Sequence, residues 1–61
     1  MPMIKAILIT RDNISEDEAD ELIKEARKAF YYYLKQGDET SAYEVCAEYF
    51  GLEPDYLYEL I

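Results

Sequence analysis

Apolar and polar positions fall into four successive blocks along the chain, each with its own spacing. Residues 3–10 are rich in isoleucine and end at the polar run Thr10-Arg11-Asp12-Asn13. A short β-branched run closed by polar residues predicts a strand. One strand leaves its backbone donors and acceptors without a neighbour. Ile4, Ala6, Ile7 and Leu8 are therefore expected to form a homodimer contact with a second copy, or to extend the sheet of a partner. The alternative is an extended arm laid on the helices with water on its backbone.

The second block opens with Ser15-Glu16-Asp17-Glu18, a capping box in which Ser15 accepts from the Glu18 amide and the Glu18 carboxylate reaches back. Apolar residues then recur at Ala19, Leu22, Ile23, Ala26, Ala29, Phe30, Tyr33 and Leu34, the three-and-four spacing of one buried helical stripe. Gly37 ends that helix after Lys35 or Gln36. The acids of its first turn, and Lys24, Arg27, Lys28 and Lys35 further on, match the helix dipole. Asp38 is the expected cap of a second helix with Ala42, Val45, Cys46, Tyr49 and Phe50 inward, stopped by Gly51. Pro54 starts a short third helix whose apolar side is Tyr56, Leu57, Leu60 and Ile61. The expected fold is mainly α, a single domain over residues 1–61. A short N-terminal strand precedes a three-helix bundle, and helices 2 and 3 form a helix-turn-helix-like pair, with Ala47 at the crossing and Gly51 in the turn.

Composition adds limits. Sixty-one residues bury only about 60% of the surface an unfolded chain exposes, so stability is marginal. One cysteine and no histidine leave neither an internal disulfide nor a Cys/His metal cluster to compensate. A hydrophobic content of 51% with two glycines and two prolines excludes a disordered chain. The N-terminal apolar run is too short for a signal peptide or a membrane span, so a cytoplasmic protein without membrane contact is expected.

Charge is distributed unevenly. The net charge is −8, from 14 acids and 6 bases, and all six bases lie before residue 36; residues 36–61 carry Asp38, Glu39, Glu44, Glu48, Glu53, Asp55 and Glu59 against none. Such a surface repels nucleic acid and anionic membrane and draws in basic protein surfaces. In a DNA-reading helix-turn-helix the last helix offers Arg, Lys, Asn or Gln. Here it holds Glu53, Asp55, Tyr56, Tyr58 and Glu59, so direct nucleic-acid binding is not expected.

Enzymatic chemistry has few carriers. No histidine supplies a base, Ser15 and Ser41 have no activating neighbour in sequence, and Cys46 on an apolar helix face reads as a small hydrophobe. Glu44 and Glu48 stand four apart without the Asp/Asn/Gly loop a calcium site uses. The protein is expected not to be an enzyme, with no catalytic residue, no cofactor and no metal. Seven tyrosines are the unusual feature. Tyr31-Tyr32-Tyr33 cannot all face one core, and Tyr43 and Tyr58 also fall off the apolar faces, where tyrosine serves interfaces well or simply roofs a small core.

The segments Ile14-Ser15-Glu16-Asp17-Glu18-Ala19-Asp20-Glu21-Leu22-Ile23 and Tyr49-Phe50-Gly51-Leu52-Glu53-Pro54-Asp55-Tyr56-Leu57 resemble stretches of small acidic proteins encoded by bacteriophages and prophages. The resemblance covers about half the chain and implies a host-takeover or anti-defence accessory, a class that includes anti-CRISPR and anti-restriction inhibitors acting in the host cytoplasm. The expected function is a non-enzymatic interaction module whose acidic half occupies a basic nucleic-acid-binding site on a nuclease or polymerase, as a DNA mimic. Glu44, Glu48, Glu53, Asp55 and Glu59 would supply phosphate-like charge, and Tyr43 and Tyr58 the apolar contacts. The alternative is a dimeric structural or regulatory adaptor, joined through residues 3–9, with a helix-turn-helix scaffold that does not bind DNA.

Overall fold

The computed structural model describes residues 3–61. They form α1 (Met3–Asp12), α2 (Glu16–Lys35), α3 (Glu39–Tyr43), α4 (Val45–Phe50) and a C-terminal 3₁₀ helix (Pro54–Glu59). The mainly α class holds, with no strand among the described residues.

The expected strand is α1. A lone strand here would find no second strand, whereas a helix satisfies its own backbone, and Met, Lys, Ala and Leu within the run favour it. Ile4 and Leu8, one turn apart, are fully buried in the chain's own core, while Ala6 and Ile7 are half-buried. The homodimer ladder assigned to Ile4, Ala6, Ile7 and Leu8 therefore has no strand to carry it. The helix entrance is held from the far end of the chain. Glu59 accepts from the Ile4 amide at 2.9 Å and the Met3 amide at 3.2 Å, satisfying two of the donors that a helix N-terminus leaves open. Asn13, at φ 54°, makes the turn into α2, as asparagine tolerates left-handed backbone.

In α2 both ends follow local chemistry. The Glu18 amide donates to Ser15 Oγ at 3.1 Å; the reciprocal bond to the Ser15 amide is not formed among the described residues. Gly37, at φ 76°, closes a Schellman turn in which Asp38 N–H reaches Tyr33 O at 2.9 Å and Gly37 N–H reaches Leu34 O at 3.1 Å. Ala19, Ala26 and Phe30 are buried beneath the helix. Leu22 and Leu34, expected in the stripe, lie at its edges and stay 39% and 43% exposed.

The expected second helix is two. Asp38 Oδ1 accepts from the Ser41 amide at 3.1 Å, as a cap should. At Glu44 the amide is shared between Thr40 O and Ser41 O, both at 3.2 Å. That tightened turn separates the two helices; Ala42 is buried by α3 and Val45, Cys46 and Phe50 by α4, while Tyr49, expected inward, is 40% exposed. The last segment is 3₁₀ rather than α. Three residues per turn bring Leu57 and Leu60 to the same side, half-buried and fully buried respectively.

The helix-turn-helix expectation fails on the same facts. Ala47 is exposed rather than at a crossing, and the would-be second helix is a short 3₁₀ segment. Gly51 does end α4 in the left-handed region, at φ 66°. The core is one cluster drawn from all four α-helices and from Leu60 just after the 3₁₀ segment, with Phe50, Ile4, Leu8, Leu60, Val45 and Cys46 its largest fully buried side chains.

Candidate functional site

Helices α3 and α4 and the 3₁₀ segment position the acidic and tyrosine side chains. Glu44, Glu48, Glu53 and Asp55 are exposed, and Tyr43 and Tyr58 are 60% and 66% exposed. Glu39, Thr40, Tyr43 and Glu44 line a shallow depression of about 310 Å³. Glu48 follows Glu44 one turn on, its amide bonded to Glu44 O at 3.0 Å. Asp55 and Tyr58 are three apart on a 3₁₀ helix, which aligns them on one side. Among the described residues no cation pairs with an acid of residues 36–61, since the ion pairs are Lys5 with Asp20 at 3.0 Å and Glu16 at 3.7 Å, and Arg11 with Asp12.

Glu59 is placed differently from the other acids. Its carboxylate caps α1, at the edge of a cleft of about 470 Å³ bordered by Ile4, Lys5, Asp20, Lys24 and Arg27. Arg27 Nε donates to Leu60 O at 3.3 Å across that cleft. The polar groups there thus latch the C-terminus to α1 and α2. The same carboxylate holds the neighbouring Tyr58 phenol above its ordinary pKa.

Cys46 is buried, and loss of solvent, with the Glu59 charge added, pushes its thiol pKa up. A thiol held protonated and out of water is a poor nucleophile. No group of three or more potential metal ligands gathers among the described residues. No helix of those residues is long and apolar enough to cross a membrane.

A second surface lies on α2, opposite its buried alanines. Lys24, Arg27, Lys28, Tyr31, Tyr32 and Lys35 line a shallow depression of about 440 Å³, with Tyr31 and Tyr32 at 45% and 59% exposure. Each tyrosine ring packs edge-on against its neighbour, Tyr31 on Phe30 and Tyr32 on Tyr33. The dipole match alone did not single out this surface. The spacing 24, 28, 31, 35 carried the signal, since it repeats at the helical period.

No family model, curated protein or solved structure matches this chain.

Proposed function

We propose that the chain is a non-enzymatic interaction module whose acidic C-terminal half docks on a basic, nucleic-acid-binding surface of another protein. The observation that carries the reading is the segregation of charge: seven acids and no base after residue 35, with Glu44, Glu48, Glu53 and Asp55 exposed and unpaired among the described residues. Carboxylates on and between short helices present negative charge without the cost of gathering flexible chains. Tyr43 and Tyr58 add rigid apolar area with a polar tip, which suits an interface. Glu59 serves the fold, so the docking set is Glu44, Glu48, Glu53, Asp55, Tyr43 and Tyr58.

The test is capture of proteins from bacterial lysate on the immobilised chain, with short duplex DNA as competitor. The reading predicts captured nucleic-acid-binding proteins, displaced by the duplex and lost as salt rises from ~0.1 M toward ~1 M, where the screening length falls to about 3 Å. Capture indifferent to both duplex and salt would refute it.

A further inference from the structure

Among the described residues the basic face of α2 makes no ion pair, although the chain is strongly acidic. From Lys24 to Lys35 the sequence holds four cations and one acid, Glu25. None of Lys24, Arg27, Lys28 and Lys35 takes part in the ion pairs found among the described residues. Arg27 spends one N–H on the Leu60 carbonyl. Tyr31 and Tyr32 stand between Lys28 and Lys35 along the helix.

We propose that this basic tyrosine face docks the acidic α3–α4 face of a second copy of the chain. The inference rests on reading the acidic half as a docking surface and names one occupant for it. Charge complementarity is the first argument, because one chain presents both a stripe of four cations and a base-free half. Each face also presents exposed tyrosines, Tyr31 and Tyr32 against Tyr43 and Tyr49.

A long nucleic acid fits less well. Asp17 and Glu21 lie on α2 before the stripe and Asp38 and Glu39 follow it, so a polyanion running past the cations would meet carboxylates at both ends. The net charge of −8 on each copy opposes association only at long range. The protein is 34 × 19 × 17 Å, so the centres of two touching copies are about two screening lengths apart at ~0.15 M salt, whereas contacting side chains lie well inside one. Local complementarity decides at that salt, and self-association is lost toward ~1 M.

Sedimentation equilibrium on the intact chain tests this, with the variants Lys24→Glu/Lys28→Glu and Glu44→Lys/Glu48→Lys. All four positions are exposed, and circular dichroism melts verify that each variant folds. At ~0.15 M salt the mass of the parent should rise with concentration toward at least twice its 7.2 kDa. Each variant alone should stay at the monomer mass, and an equimolar mixture should associate again, because each variant then supplies the charge the other lacks. A parent that stays monomeric at millimolar concentration overturns the proposal, as does a mixture that stays monomeric. A monomeric parent that binds fluorescent oligothymidylate through Lys24 and Lys28 would assign the face to nucleic acid and overturn it too. The two readings fail separately: a monomeric parent that still captures basic proteins defeats only self-association, and a charge-dependent dimer that captures none defeats only the docking on other proteins.

Discussion

Removing the Glu59 carboxylate should release the start of α1, even though Glu59 lies 55 positions beyond Ile4. In Glu59→Ala the Ile4 amide loses a part-buried bond of 2.9 Å and the Met3 amide an exposed one of 3.2 Å. The exposed donor turns to water at little cost, so the first bond carries most of the effect. A charge-assisted bond or a helix cap contributes about 1–2 kcal/mol. At 0.05–0.15 kcal/mol per residue, a chain of 61 residues has roughly 3–9 kcal/mol of total stability. The substitution therefore removes a substantial fraction, and at about 4–8 °C per kcal/mol the melting temperature should fall by roughly 5–15 °C. Glu59→Gln keeps an acceptor oxygen and loses the charge, so it should fall about half as far. Thermal melts by circular dichroism give both values. A Glu59→Ala melt within about 2 °C of the parent would refute the cap, since its predicted effect is several times larger.

Other perturbations test other parts of the structure. Ile7→Pro places a residue without an N–H in the middle of α1 and should cost about 3 kcal/mol or more, unfolding much of the population at 37 °C; an extended arm would tolerate it, and the melt distinguishes the two. Asp38 is held below the ordinary carboxylate range by the bonds it accepts from Ser41. A depressed carboxyl contributes its stability above the unfolded pKa and loses it as pH falls through the folded one, so the parent should weaken below about pH 4. D38N keeps a capping oxygen that does not titrate. Over the same acid range its melting temperature should decline less than the parent's, and equal declines would remove Asp38 from the account.

What the sequence made legible was the local chemistry. Ser15, Gly37, Asp38, Gly51 and Pro54 mark element ends through their own backbones and near neighbours, and all five act in the structure where their residue types place them. The long helix followed from its stripe and its two ends. The identity of α1 was not local. A short apolar run is ambiguous between strand and helix, and its resolution depends on Leu60 and Glu59 arriving from the far end of the chain. The break at Glu44 and the 3₁₀ geometry after Pro54 turn on how four short elements share one core, which spacing alone does not encode. For the candidate surfaces, composition exposed the acidic half and the excess of tyrosine. It could not show that Glu59 is drawn inward to α1 while its neighbour Tyr58 remains outside.

The central claim is that the exposed carboxylates at the α3–α4 junction, on α4 and on either side of Pro54 carry docking on other proteins. Its most direct test compares lysate capture by the parent with capture by Glu44→Lys/Glu48→Lys/Glu53→Lys, Glu59 being left intact so that the fold is preserved. The account predicts an unchanged melting temperature and loss of the duplex-displaceable proteins. Equal capture by a folded variant would contradict it.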